Sequence, residues 1–282
     1  MTDVYLHTVA SMGTVVTIQV VGHGADPGQI EERAACVARA VEWFHRIEAS
    51  CNRFDAGSEV RQIAAQVGAP VPVSATLFEA VRFAVAVAEE SGGAFDPTVG
   101  VEMERRGFNR EYRSGEPVRT DVAAAAVSYR DVVLDPQAKT ITLGRPLVLD
   151  LGAVAKGLAI DMASRELRPL QDFAIDAGGD LYLGGRNPEG APWSVGIRHP
   201  RHAGELIDTL QVTGAAVCTS GDYERVSPGD GGHHILDPRT GASATALASV
   251  TVIAPTAMVA DALATVLAGI PVILDAHSGV LG

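Results

Sequence analysis

The chain has 282 residues, 47% of them hydrophobic, and a formal net charge of −12. This length and composition suit one large domain, or two closely packed lobes, with a sizeable core. The acidic balance and the lack of a Lys/Arg cluster argue against a nucleic-acid-binding protein.

Membrane and export signals are not expected either. No apolar run reaches the roughly 18–20 residues that a membrane span requires, and the chain does not open on a basic and apolar leader. Cys36, Cys51 and Cys218 lack metal-ligand spacing, so we expect buried thiols in a reducing compartment. The sequence therefore predicts a cytoplasmic protein.

The first third of the chain alternates strand and helix patterns. Residues 4–21 alternate apolar and polar positions and predict strands that are interrupted at SMGT. Apolar side chains recur at helical spacing over 29–49, where they predict a long helix. A polar turn at 50–59 leads to a short helix, and a second long helix is predicted over 74–91, with Ser74 as its N-cap.

The middle of the chain is less regular. The sequence GAFDPTVG at 93–100 predicts a fixed loop, because Asp-Pro and the two glycines interrupt regular structure. Residues 101–120 are charged and poor in core residues, so they are interpreted as a surface excursion. Residues 132–143 predict a hairpin, and the apolar run 147–151 predicts a strand.

The last third predicts further short strands and one terminal helix. Together with the earlier helices, strands of mixed spacing indicate an α+β architecture. The predicted strands cover 173–176, 181–183, 193–197, 206–212 and 248–254, with others beginning at 217 and 233, and the helix covers 255–268.

The stretch LDLGAVAKGLAID at 149–161 combines a strand end, a glycine and a helix start. Unpaired N–H groups at such a helix start favour an anion, and Lys156 adds a positive charge there. Asp150 could hold a ligand hydroxyl or amide, or help to place a cation. A strand–turn–helix with Asp150 as a capping residue is an equally valid interpretation of this stretch alone.

Two other pairs could carry chemistry. Asp261 and Thr265 lie four residues apart on the terminal helix, so their oxygens project from one face and could bind Mg²⁺. Alternatively, Thr265 packs in the helix and Asp261 is solvated. Of His233 and His234, only one can point into a cleft if the segment is a strand, and neither has a partner at zinc spacing.

Glycine-bearing turns recur after apolar runs, and each of them alone could be purely structural. They are MGT, GAFDPTVG, DLGAVAKG, DAGGD, TSGDYER and HILDPRTG. The chain has no P-loop motif, no GxGxxG after a strand and no GxSxG elbow.

In this order and spacing, these segments resemble the FAD:protein FMN transferase family, the ApbE-like flavin transferases, over roughly residues 8–268. The resemblance implies an α+β, T-fold-like core with an FAD cleft between lobes, and a requirement for Mg²⁺. It implies transfer of FMN from FAD to a Ser or Thr hydroxyl of a target protein, with release of AMP. Some members instead hydrolyse FAD to FMN and AMP.

The resemblance also assigns site residues. Phe54 occupies a position where members often carry a stacking tyrosine. Because the attacking hydroxyl must lose its proton to an imidazole or carboxylate, His234 is our first candidate for the general base and Asp261 the second. The metal site is formed by the Ala153 carbonyl, Asp261 and Thr265. The positions that match the FAD site are Met12, Phe54, Ala94, Phe95, Asp96, Asp150, Lys156, Asp176, Asp180, Tyr223, His234 and Ile235.

Three functions remain open from the sequence: a flavin transferase, an FAD pyrophosphatase and a non-catalytic FAD-binding protein. The retained Asp261–Thr265 pair argues against the last, because flavin storage alone needs no metal. We expect one domain over 1–282, with 101–120 as a possible partner-recognition surface. Family members continue further past the terminal helix, so a shortened C-terminal edge is also expected.

Overall fold

The computed structural model describes residues 3–22, 26–112, 114–122, 126–223, 232–238, 240–245 and 247–269. The predicted shortened edge falls in 270–282, outside these residues.

Within the described residues the chain forms six α-helices and eleven strands. In chain order they are β1 (Val4–Ser11), β2 (Thr14–Val21), α1 (Pro27–Cys51), α2 (Glu59–Ala64), β3 (Val71–Pro72), α3 (Ala75–Glu90), α4 (Gly100–Arg105), β4 (Val132–Asp135), β5 (Thr140–Leu143), α5 (Gly152–Leu167), β6 (Phe173–Ala177), β7 (Asp180–Gly184), β8 (Trp193–Arg198), β9 (Leu206–Val212), β10 (Ala215–Gly221), β11 (Ser249–Ala254) and α6 (Ala257–Gly269).

The main sheet has six strands in the order β1-β2-β6-β7-β10-β11, and each neighbouring pair is antiparallel. Two small antiparallel sheets, β3-β5-β4 and β8-β9, complete the β structure of the described residues. The predicted α+β class is confirmed, with an antiparallel sheet at its centre.

One hydrophobic core joins the main sheet to the long helices. Helix α5 packs against both α1 and α6, and α6 also packs on β10 and β11. Ile18, Phe44, Ile160 and Leu167 are fully buried in this core. Burial of such side chains, at about 1.5–3 kcal/mol each, holds the helices on the sheet.

The helices predicted over 29–49, 74–91 and 255–268 are confirmed to within about two residues by α1, α3 and α6. Ser74 accepts a hydrogen bond from the Leu77 N–H at 3.2 Å and so begins α3, as predicted.

Two predicted strands are wrong. Residues 147–151 do not join a ladder: Val148 makes a single parallel bridge to Val99, and the Asp150 N–H donates to the Pro97 carbonyl at 2.7 Å. The side chains of this run are buried, so apolarity was the correct signal for burial but not for strand pairing. The segment from His233 likewise forms no continuous strand, and the bridge between described residues there joins Leu236 to Ser243.

Among the described helices, none combines the length and apolarity needed to cross a membrane.

Candidate active site

A cleft of about 740 Å³ opens at the ends of several elements. Pockets of about 300–1,000 Å³ are typical of small-molecule and cofactor sites. The cleft is lined from the β1–β2 turn, the end of α1, the loop before α4, the start of α5, the end of β10, residues 234–238 and α6. Segments far apart in the sequence therefore build one site.

Most of the predicted site residues meet at this cleft. Those that line it are Met12, Phe54, Ala94, Phe95, Asp96, Asp150, Ala153, Lys156, Asp180, His234, Ile235, Asp261 and Thr265. Asp176 and Tyr223 are not among its lining residues. Asp176 is exposed and accepts a hydrogen bond from the Gly179 N–H at 2.8 Å, which stabilises the β6–β7 turn.

Met12 reaches the cleft from a two-residue hairpin turn. Ser11 pairs with Thr14, and the intervening Met12 and Gly13 have φ values of 53° and 74°. Such turns need positive φ at both central positions, which is unusual for a residue with a side chain. The β1–β2 register thus holds Met12 in a strained conformation at the cleft wall.

The loop before α4 is fixed by the carboxylate of Asp96, which is 7% exposed. Its Oδ1 accepts hydrogen bonds from the N–H and the hydroxyl of Thr98 at 2.9 and 2.7 Å, and its Oδ2 accepts one from the Tyr129 N–H at 3.0 Å. These bonds give the loop a fixed path past the cleft, as the Asp-Pro sequence predicted.

Asp150 lies just before α5, and both of its carboxylate oxygens accept hydrogen bonds. Its Oδ1 accepts from the Gly152 N–H at 2.9 Å, and its Oδ2 accepts from Nε of Arg53 at 2.7 Å. The α5 N-cap position itself is Leu151, whose side chain makes no capping bond. The Gly152 N–H is thus satisfied by Asp150, and the ion pair with Arg53 joins α5 to the end of α1.

Lys156 lies between two buried carboxylates. Its Nζ pairs with Asp180 Oδ2 and lies 3.5 Å from Asp261 Oδ2. Asp180 and Asp261 are 4% and 6% exposed. Because the two carboxylates share this one ammonium among the described ion pairs, the cluster carries a net negative charge that can attract a cation.

The oxygen donors around this cluster suit a hard cation. Thr265 lies one turn after Asp261 on α6, and its hydroxyl is 3.3 Å from that of Ser220. Ala153 lies in the first turn of α5 at the same cleft. The described residues contain no group of three or more His, Cys, Asp or Glu side chains placed to hold a metal. A cation here would accordingly depend on hydroxyl and carbonyl oxygens beside one or two carboxylates.

Asp161 anchors the start of α6, the helix that carries Asp261 and Thr265. Its carboxylate accepts hydrogen bonds from the N–H groups of Ala257 and Met258 at 2.6 and 3.0 Å. Burial raises the pKa of Asp161, while these two backbone bonds oppose the rise. The bonds satisfy donors that a helix start leaves open, so α5 fixes the position of α6 directly.

The two histidines face different surroundings. The His233 ring makes a hydrogen bond to the Ala244 carbonyl, and its backbone N–H donates to the Ser243 hydroxyl at 2.9 Å. His234 lines the cleft, with its ring edge-on to Phe108 at 6.4 Å between centroids. Only one imidazole reaches the cleft, although the segment is not a regular strand.

Several cleft residues were missed by the sequence interpretation. They include Glu48, Arg53, Met103, Phe108, Arg110, Tyr112 and Ser220. Four of these belong to 101–120, so the prediction of a surface excursion needs correction: this segment contributes one side of the cleft. Tyr112 donates a hydrogen bond to Glu48 at 2.7 Å, which ties the segment to α1. The aromatic residues among its charges were the available signal.

The antiparallel α+β core and the nucleotide-sized cleft are typical of a protein that binds a small molecule or cofactor. Comparison with known proteins then specifies the family. The pattern of the ApbE family matches residues 12–272. A protein of Klebsiella pneumoniae named FAD:protein FMN transferase is 32% identical over 281 residues, which cover 95% of this chain and 83% of that protein. A Haemophilus influenzae protein of the same name is 32% identical, over 71% of this chain and 62% of its own length.

Solved structures of ApbE proteins have the same fold as this chain. The crystal structure of the ApbE protein of Thermotoga maritima has a TM-score of 0.79 and 32% identity, and the match covers 95% of this chain and 87% of that one. The flavin transferase ApbE of Vibrio cholerae, at 24% identity, has the same fold with a TM-score of 0.79. The chain belongs to the ApbE family.

Proposed function

We propose that this protein transfers FMN from FAD to a Ser or Thr hydroxyl of a target protein, with release of AMP. Family membership and the names of the relatives support the reaction class. The observation that carries the proposal is the Asp180–Lys156–Asp261 cluster, which faces a cleft of suitable size beside two hydroxyls. The Lys156 ammonium can neutralise charge on a pyrophosphate, and the carboxylate and hydroxyl oxygens can hold a cation beside it.

The proposed reaction is a substitution at phosphorus. The hydroxyl oxygen of the acceptor attacks the phosphorus of the FMN half, and the phosphoanhydride bond to AMP breaks. AMP leaves with the bond electrons, and the hydroxyl proton passes to a general base. Catalysis of such a step depends chiefly on positioning and on charge stabilisation.

The cleft residues supply these functions in the proposal. Lys156 would neutralise negative charge on the pyrophosphate oxygens. His234 is our first candidate for the general base, because it lines the cleft and an imidazole titrates near neutral pH. Asp261 is the second candidate, because a carboxylate that also binds a metal ion is less basic.

We propose Mg²⁺ as the metal, held by the Asp261 carboxylate, the Thr265 hydroxyl and the Ala153 carbonyl. The net negative charge of the Lys156 cluster supports the fit of a divalent cation at these residues. When bound, Mg²⁺ withdraws negative charge from phosphate oxygens and so favours departure of AMP.

The metal assignment is tested by AMP release from FAD. In the presence of FAD and a flavin-acceptor protein, the wild-type protein is expected to release AMP when Mg²⁺ is present and to release none when the metal is chelated. Asp261→Ala is expected to lower the rate of AMP release at least about 100-fold. Leu263→Ala is the matched control, since this α6 residue is 41% exposed and is not among the cleft-lining residues. Unchanged AMP release in Asp261→Ala would refute the metal site.

We also propose a cytoplasmic location. Cys36, Cys51 and Cys218 are buried free thiols, and burial raises the pKa of Cys51 to about 12, which keeps it protonated and unreactive. Free thiols are typical of reducing compartments.

A further inference from the structure

We propose that Arg53 is a further substrate-binding residue, which donates a hydrogen bond from Nη1 to a neutral acceptor atom on one ring system of FAD. This inference rests on the proposed function and names a contact within the same cleft. Arg53 follows the end of α1 and is 4% exposed, so its guanidinium is almost wholly removed from water.

Two of the three guanidinium nitrogens are held by the protein. Nε donates to Asp150 Oδ2 at 2.7 Å, and Nη2 donates to the Phe108 carbonyl at 2.6 Å. The guanidinium carbon also lies 4.1 Å from the centroid of the Phe54 ring. Phe54, Phe108 and Asp150 all line the cleft, as does Arg53 itself, so this guanidinium is fixed in the cleft wall.

The third nitrogen, Nη1, is buried and has no hydrogen-bond partner among the described residues. An arginine has five N–H donors and cannot lose its proton, so Nη1 carries two donors that remain unsatisfied. Buried donors of this kind are rare, and a charged one is especially unfavourable. A bound ligand that brings an acceptor to this wall removes the penalty.

The surroundings indicate what kind of acceptor this is. The Asp150 carboxylate pairs with Arg53 and offsets the guanidinium charge, which weakens the attraction of this guanidinium for a phosphate. The adjoining Phe54 and Phe108 are aromatic, and such side chains pack against ring systems. The net negative charge that attracts a metal, and the ammonium that can bind a pyrophosphate, lie instead in the Lys156 cluster. A carbonyl oxygen or ring nitrogen of isoalloxazine or adenine therefore fits Nη1 best.

The experiment measures the affinity of FAD, FMN and AMP for wild type, Arg53→Met and Arg53→Lys by calorimetry. Arg33→Met is the matched control: Arg33 is 8% exposed, pairs with Asp3 at 3.2 Å and lies over the Tyr5 ring, and it is not among the cleft-lining residues. Arg53→Lys keeps the positive charge beside Asp150 but lacks the guanidinium fork, so it remains informative if Arg53→Met does not fold.

We expect Arg53→Met to raise the Kd of FAD about 10- to 100-fold and Arg53→Lys to raise it at least about fivefold. The loss should appear with either FMN or AMP and not with both, whereas Arg33→Met should bind all three like wild type. Unchanged FAD affinity in both Arg53 variants, or an equal loss for FMN and AMP, would overturn the assignment. A wild-type protein that binds no FAD would instead refute the proposed function.

Discussion

Lys156 is the residue on which the electrostatics of the site depend most. The chain has only two lysines, Lys139 and Lys156, and Lys156 alone lines the cleft. Its ammonium stabilises two buried carboxylates in the absence of substrate. In the proposed reaction, the same ammonium would bind phosphate oxygens of FAD.

Replacement of Lys156 by Met should lower AMP release from FAD by at least about 100-fold, because charge on the pyrophosphate is no longer neutralised. Loss of the ammonium also leaves Asp180 and Asp261 uncompensated, which should lower the free energy of unfolding by about 3 kcal/mol. The rate is measured by chromatography of AMP and the stability by urea unfolding.

The matched control is Lys139→Met, since Lys139 is a 45%-exposed lysine over the Phe78 ring. The double variant Lys156→Met/Asp180→Asn removes one charge of each sign and should recover most of the stability without recovering activity. A stable double variant that releases AMP at the wild-type rate would contradict the role of Lys156.

At the scale of elements, the crossing of α5 and α6 sets the geometry of the proposed metal site. Ala153 and Lys156 come from α5, and Asp261 and Thr265 come from α6. Gly157 permits the close approach, because a Cβ at this position would lie 2.5 Å from the Met258 Cα. The Asp161 carboxylate then fixes the α6 start through its two backbone hydrogen bonds.

We expect Gly157→Ala to destabilise the protein by about 1–3 kcal/mol, because the added methyl group forces the two helices apart. The shift should also raise the Mg²⁺ concentration needed for half-maximal AMP release. Gly28→Ala is the control: Gly28 also lies in a helix, and its added Cβ would approach nothing closer than 3.8 Å, to Asp26 Oδ2. Equal unfolding midpoints for Gly157→Ala and wild type would show that α5 and α6 do not need this close packing.

The sequence predicted these elements where the pattern is local. Apolar spacing and Ser74 predicted α1 and α3, and the alternation in residues 4–21 predicted the strands on either side of SMGT. The prediction of a strand at 147–151 was wrong, because these residues are buried in the core without pairing in a sheet. Such an apolar run has the same appearance in either case.

At the scale of the whole molecule, most of the site residues predicted from the sequence do line the cleft, and the family resemblance indicated that their motifs meet at one site. Arg53 could not be predicted as a site residue, because its partners Asp150 and Phe108 are 97 and 55 residues away along the chain and only the fold brings them together. The same is true of Tyr112 and Glu48, which are 64 residues apart. Spacing along the chain carries no information about such contacts.

The claim at this scale is that one cleft, assembled from both halves of the chain, transfers the FMN half of FAD to a second protein. If water attacks in place of the acceptor hydroxyl, the protein is an FAD pyrophosphatase. If FAD binds in the cleft and does not react, the protein is a flavin carrier. The three outcomes differ in what becomes of the FMN half.

The most direct test is the mass of a flavin-acceptor protein after incubation with FAD, Mg²⁺ and this enzyme, with AMP measured in the same sample. We predict an acceptor heavier by FMN less one water, at a Ser or Thr, with one AMP released for each flavin attached. AMP and free FMN beside an unmodified acceptor would contradict the transferase and support hydrolysis. FAD bound but intact would contradict both reactions.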